Sequence, residues 1–405
     1  MAALIQEKLL DERLAGLEKA RSWSPRVVSK LESLIRNGED QELYGINPIA
    51  FAAEKGMQEN EAIDLFLHAT KLRLMEMNWH LICPMCGDQL QSFSSLKTLH
   101  SHLSCNLCQL NTEATLDDFI KVSFTVSHEI RDIAFHHPER LSPLDYMTQY
   151  RLSREGRFPD GTRFRDGLRR LIRIAVFLEP GQSESCEIKA KPGFLASHDF
   201  LNQRTSMIEV REGAAPQSEV TITFLDDQAK GSVTELAPGT VKVTLKNESK
   251  LKGLTFAAWI PPADAESPVK FDPFLTGKRL FTSQTFRDIF RSEVIGSSEG
   301  LAIKDLTLLF TDLKGSTELY ERIGDLEAFS LVRQHFDSLA KVINRNSGAI
   351  IKTIGDAVMA AFLNPLDATH AAAEMLQEIE GFNRSLRNKE IVLKIGLHKG
   401  ASIAV

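Results

Sequence analysis

The chain has 405 residues, a formal net charge of -6, 43% hydrophobic residues and 25% charged residues. That length exceeds what one hydrophobic core supports and calls for about two to four domains. The acidic balance argues against a dedicated nucleic-acid binder. No apolar run approaches the ~20 residues that span a bilayer, and the opening MAALIQEKLLDERLAGLEKA lacks the apolar core of a secretory signal. The expectation is a cytoplasmic protein that does not enter a membrane.

In chain order, residues 1 to about 40 read as charged, helix-prone and without a clear core face, the pattern of a peripheral helix pair or arm. Asn47-Pro48 then starts a helix cleanly, with Asn as cap and Pro in the first turn, and Gly56 stops it. A second helix carries Ile63, Phe66, Leu67 and Leu74 at helical spacing. Residues 1–79 are thus expected to be a helical N-terminal region.

Two close cysteine pairs follow, Cys83 with Cys86 and Cys105 with Cys108, each C-x2-C, with 18 residues between the pairs. Two thiolates on one tight turn face a single ion, and two such turns close a tetrahedral site. This predicts a zinc ribbon over 80–116 holding structural Zn²⁺. His100 and His102 lie inside the loop as alternative ligands. The remaining cysteine, Cys186, reads as a small core residue.

From 117 the apolar period changes to two. Ile120, Val122, Phe124 and Val126 alternate with polar residues, as do Val220, Ile222, Phe224 and Val241, Val243, Leu245. Turn signals at Pro180-Gly181, Pro192-Gly193 and Pro238-Gly239 separate them. A β-sandwich-like domain over 117–262 is expected. Residues 150–174 hold eight arginines against three acids. A solvated face paired with acids elsewhere is favoured for this strip over a nucleic-acid surface. Residues 263–302 read as a linker and a short helix with Phe286, Ile289 and Phe290 on one face, placed to couple the two halves of the chain.

The last segment alternates strand and helix. DLTLLF (305–310) reads as a central strand, then Asp312, then Lys314-Gly315-Ser316-Thr317 opening a helix. Backbone N–H groups at a helix start hold anions, and an acid beside them calls for a bridging cation such as Mg²⁺. A long helix presents Ala328, Leu331, Val332, Phe336, Leu339, Val342 and Ile343. AIIKTIGDAVMAAF then reads as a hairpin turning at Gly355-Asp356, and a helix and the strand IVLKIGLH complete the order β-α-β-β-α-β, a ferredoxin-like core. The fold class expected for the whole is multidomain α+β, with that core incomplete.

FTDLKGST, IKTIGDAVMAAF and IGLHKG, in this order and spacing, resemble the catalytic domain of class III nucleotidyl cyclases, bacterial adenylate cyclases in particular, over about 303–405. The region ahead of them resembles an uncharacterised domain found before bacterial cyclase domains. The resemblance implies that Asp312, Asp356 and the Leu313 carbonyl bind two Mg²⁺ or Mn²⁺ ions. It implies that Gly315, Ser316 and Thr317 hold the phosphates of ATP, and that Lys352 reads the purine and favours adenine over guanine. It further implies a homodimer, with metal carboxylates and purine-reading lysine supplied by different protomers. In that family the residues that position ribose and stabilise the transition state follow the strand matching IGLHKG. The sequence given stops at Val405 before them, so the expectation for it as written is little or no cyclase activity. Two other readings remain: a zinc-ribbon nucleic-acid-binding regulator with a degenerate cyclase segment, and a nucleotide sensor that binds ATP without cyclising it.

Overall fold

The computed structural model describes residues 5–93, 102–108, 110–113, 115–117, 120–262, 269–290, 301–384 and 391–404. Four helices open the chain: α1 (Glu7–Ala20), α2 (Val27–Asn37), α3 (Pro48–Lys55) and α4 (Glu59–Lys71). The expected helix pair forms, and the expectation that it is peripheral and without a core face is corrected. Leu10, Leu14 and Leu17 of α1 and Val27, Val28, Leu31 and Ile35 of α2 recur at helical spacing, and all are buried in the first core. Charged residues between them dominate the composition without breaking the apolar stripe. The cap of α3 forms as its residues dictate, the Asn47 side chain accepting the Ile49 N–H at 3.0 Å.

The helices pack on a three-stranded sheet in the order β2–β1–β5, made of β1 (Met75–Ile82), β2 (Gln89–Phe93) and β5 (Ile120–Val126). A separate hairpin pairs β3 (His102–Cys105) with β4 (Leu110–Glu113). The alternating strand FIKVSFTVS therefore belongs to the helical half of the chain and not to the sheets that follow. All seven residues of β5 are buried. Its polar positions face partners and not water: Lys121 pairs with the buried Glu155, and the Ser123 hydroxyl meets His80 Nε2 at 2.7 Å.

Beyond β6 (Gly156–Arg157) and α5 (Phe164–Leu171) lie two larger sheets. The strands are β7 (Ile172–Leu178), β8 (Ser183–Ala190), β9 (Gly193–Asp199), β10 (Arg204–Val210), β11 (Glu219–Phe224), β12 (Ala229–Gly231), β13 (Glu235–Leu236), β14 (Gly239–Asn247) and β15 (Gly253–Ile260). One sheet runs β13–β10–β9–β15–β7 and the other β12–β11–β14–β8. They share a core in which Leu195, Ile208 and Ala257 meet Ile222, Phe224, Val243 and Leu245. Part of the expected linker is structured: β16 (Lys270–Phe271) pairs with β6. Two short helices, α6 (Gly277–Phe281) and α7 (Gln284–Ile289), then return to the first core, where Phe286 is buried against Trp79.

The last segment comprises β17 (Leu301–Lys314), α8 (Ser316–Ile323), α9 (Asp325–Arg345), β18 (Ala349–Ile354), β19 (Ala357–Phe362), α10 (Pro365–Arg384) and β20 (Val392–Ala404). Its antiparallel sheet runs β18–β19–β17–β20. Helices α9 and α10 cover one face, where Leu309, Leu313, Val358, Ala360 and Phe362 form the core with Leu339, Val342 and Met375. Among the described residues the opposite face bears no helix of this segment, and two environments share it. At one end Ile303, Leu306 and Ala361 join the first core, with Leu308 and Ile351 packed against it. At the other end Phe310 and Ile354 stand exposed.

Candidate functional site

The turns leaving β1 and β3 carry the four cysteines. Gly87, with φ +72°, lets the first turn close, its N–H donating to the Cys83 carbonyl at 2.8 Å. All four sulfurs lie within 4.8 Å of one another, Cys86 and Cys105 at 3.9 Å. Four sulfurs around one tetrahedral zinc sit roughly 3.8 Å apart, so the cluster has the right size. None of the four forms a disulfide. Hydrogen bonding among the sulfurs holds Cys83 and Cys105 below the usual thiol range and pushes Cys86 and Cys108 above it. His100 lies outside the described residues. Cys186 is half-buried against the core of the larger sheets.

The carboxylate site lies at the exposed end of the C-terminal sheet. Strand β17 is longer than DLTLLF, so Asp312 is a strand residue and not a residue past the strand's end. Phe310 pairs with Met359 and Met359 with Lys352, which sets Lys352, Met359 and Phe310 in one row across three strands. Counting on from Phe310–Met359, Asp312 stands level with Ala357, the residue after Asp356. The hairpin turns at Gly355-Asp356, Gly355 taking φ +62°. The fold thus brings Asp312 and Asp356 to the same end of neighbouring strands, with Lys352 exposed two pairs away. Gly315, at φ +71°, breaks the strand into α8, so that Ser316 and Thr317 start that helix. Leu313 points into the core, leaving only its backbone for a ligand role.

The two carboxylates differ. Asp312 is half-exposed and accepts a hydrogen bond from Lys394 Nζ of β20 at 3.0 Å. Asp356 has a buried oxygen, Oδ2, without a hydrogen-bond partner among the described residues. An oxygen stripped of water with no donor is what a bound cation satisfies. Near it, His335 of α9 is fully buried and neither ring nitrogen has a described partner. Burial pushes the His335 pKa down to about 4 against the attraction of Asp356. Both Lys394 and His335 were missed in the sequence. His335 sits four residues from Leu331 on the same helical stripe, which is a legible signal; Lys394 declares itself only through the register Asp312–Lys394.

The helix α7 touches this segment just before Lys352. Arg287 donates from Nε to the Ile350 carbonyl at 2.9 Å and from Nη2 to the Ile351 carbonyl at 2.8 Å. Gln284 Oε1 accepts the Ile350 N–H at 2.8 Å. The β18–β19 register shifts between Ile350 and Lys352, so these bonds hold an irregularity in the strand that presents the lysine. Of the arginine strip, Arg151, Arg157 and Arg169 pair with Asp88, Asp272 and Asp145.

Residues 11–288 match the family of unknown function DUF5939. The chain belongs to that family. Residues 301–405 match the adenylate and guanylate cyclase catalytic domain, in keeping with the resemblance carried by FTDLKGST and IKTIGDAVMAAF. An adenylate cyclase of Anabaena cylindrica is 35% identical over 107 residues, 24% of this chain and 21% of that protein. Adenylate cyclase 2 of Rhizobium meliloti (strain 1021) is 33% identical over 101 residues, 23% of this chain and 27% of that protein. The DUF5939 chain therefore spans about a quarter of the length of these curated relatives. Among solved structures, a bacterial light-regulated adenylyl cyclase is 23% identical, with a TM-score of 0.23, over 24% of this chain and 54% of that one. The adenylyl cyclase CyaB from P. aeruginosa is 23% identical, with a TM-score of 0.24, over 26% and 60%. Likenesses of that size carry no argument about the whole chain. No helix among the described residues is long and apolar enough to cross a membrane.

Proposed function

We propose that the C-terminal segment is the catalytic half of a cytoplasmic class III adenylate cyclase, forming cyclic AMP and pyrophosphate from ATP at a site shared by two copies of the chain. The observation that carries this reading is the placement of Asp312 and Asp356 at one end of adjacent strands, with a buried oxygen of Asp356 unpartnered. Asp312, Asp356 and the Leu313 carbonyl would hold two Mg²⁺ or Mn²⁺ ions. When bound, such ions favour ionisation of the ribose 3′-hydroxyl and neutralise the triphosphate.

Other groups of the chain bind the nucleotide. The N–H groups of Gly315, Ser316 and Thr317, at the start of α8, bind phosphate oxygens. Lys352 donates to the acceptor N1 of adenine in the partner's site, which disfavours guanine because its N1 is a donor. Lys394 holds the Asp312 carboxylate at rest and leaves it as a nucleotide complex arrives. The exposed Phe310 and Ile354 belong to the face that meets the second copy. The cysteine cluster holds a structural zinc ion in the regulatory half, and Arg287 transmits changes there to the strand bearing Lys352.

The test is a Mn²⁺- and Mg²⁺-dependent assay, with ATP and with GTP, of the natural full-length protein including whatever follows Val405, using Asp356→Ala as control. Cyclic AMP formed by the wild type and lost in the variant is the expected result. Turnover unaffected by Asp356→Ala would refute the assignment.

A further inference from the structure

Immediately after β5 the chain reads SHEIRDIAFHHPER, with His128, Asp132 and His136 each four residues apart. The turn and the short helical turn Ala134–His136 gather them. His128 Nδ1 lies 2.9 Å from Asp132 Oδ1, and His136 Nδ1 lies 3.2 Å from the same oxygen. These three ligand atoms are all within 4.8 Å of one another. His137 Nε2 stands 3.1 Å from both Asp132 oxygens.

Protons show why this is more than a hydrogen-bonded carboxylate. His136 Nε2 lies 2.9 Å from the Val126 carbonyl, an acceptor only, so Nε2 carries a proton. His136 Nδ1 accepts the Ile133 N–H at 3.2 Å, so it presents a lone pair. That lone pair faces the Asp132 oxygen, and two acceptors stand within hydrogen-bond distance with no proton between them. Either a proton or a cation on Nδ1 relieves the conflict, each taking the lone pair from the Ile133 N–H and keeping the Nε2 bond to Val126, but only a cation also engages His128 Nδ1.

We propose that His128, Asp132 and His136 bind a first-row divalent transition-metal ion, a site distinct from the cysteine cluster and from Asp312 and Asp356. Two imidazoles and one carboxylate suit zinc, iron(II), manganese, cobalt or nickel, and not calcium or magnesium, which take oxygen ligands. The supporting contacts resemble those of a metal centre: His136 donates its other N–H to a backbone carbonyl, and His137 bonds the Asp132 carboxylate. Ligands on a tetrahedral ion of this kind stand roughly 3.3 Å apart, close to the distances seen. The three histidines line a cavity of about 440 Å³, together with Tyr44, Glu76 and Phe135, so that a small molecule can reach the ion.

Cobalt distinguishes this site from the thiolate cluster, because only sulfur ligands give intense near-ultraviolet charge transfer. Full-length protein stripped with chelator and titrated with Co²⁺ should bind one ion per chain more than Asp132→Asn treated alike, with an equal charge-transfer band. Asp132→Asn should lose that ion and keep the band. His128→Gln, at an exposed position that folding does not depend on, should weaken its binding by about ten- to a hundredfold. The proposal is overturned if the wild type binds no such ion, or if His128→Gln and Asp132→Asn bind cobalt as tightly and in the same ratio as the wild type.

Discussion

The cysteine cluster and the Asp312–Asp356 pair are the two donor sets with readable motifs, and the fold treats them in opposite ways. Cys83, Cys86 and Cys105 are buried and Cys108 half-buried, with all four sulfurs within 4.8 Å of one another. Asp312 is half-exposed at a sheet end, Lys352 is exposed, and the apolar neighbours Phe310 and Ile354 have no cover among the described residues. A closed donor set holds a fold together, while an open one waits for a substrate and a second surface. The same contrast separates the halves of the C-terminal sheet, one end sealed by the N-terminal core and the other left bare.

The predictions test that contrast. Asp356→Ala should lower cyclase turnover of the full-length protein about a thousandfold while leaving its unfolding midpoint nearly unchanged, because an open site adds little to the fold. Cys105→Ser should do the reverse: one zinc fewer per chain by elemental analysis, and a stability loss of roughly 3 kcal/mol or more in denaturant titration. If Cys105→Ser leaves both zinc content and stability as they were, the cluster is no metal site.

Acid should act on the buried half. Burial drives the pKa of His80 and of His198 down to about 3. The unfolded chain protonates these rings near their ordinary value of about 6.5, so stability falls as the pH drops from there towards 3. At pH 5 the loss should be about 2 kcal/mol for each ring, and His198→Gln should flatten the profile measured by urea titration.

Arg287→Ala removes two hydrogen bonds to the strand that carries Lys352 and should cost about 1–2 kcal/mol. It should also shift ATP turnover or dimer affinity severalfold, as should Phe290→Ala; unchanged kinetics and dimerisation in both would remove the coupling role. Smallest of all, Lys394→Met should change stability by less than about 0.5 kcal/mol, since the pair with Asp312 is exposed. It should nevertheless tighten Mn²⁺ binding, which calorimetry would detect.

Local signals were legible where one residue type dictates one geometry. Asn47-Pro48 capped a helix, Gly355-Asp356 turned a hairpin, and the paired C-x2-C turns brought four sulfurs together. Failures came where tertiary partners overrode a local pattern. β5 alternates like a half-exposed strand, yet Lys121 and Ser123 are buried against Glu155 and His80, which lie far off in the chain. The dense charges of α1 and α2 hid an apolar stripe. Lys394 and Arg287 act through strand register and a returning helix, neither of which spacing along the chain reveals. The His128–Asp132–His136 spacing was there to read and lacked only the fold that gathers it.

The shared site gives the most direct test of the account. Asp356→Ala and Lys352→Ala, each inactive alone in the full-length protein, are mixed under conditions that exchange subunits, and cyclic AMP formation is measured. Mixed dimers keep one site with the aspartate from one copy and the lysine from the other, so activity should return to roughly a quarter of the wild-type value. A mixture as inactive as its components, with exchange verified, would contradict a catalytic site built from two copies of this chain.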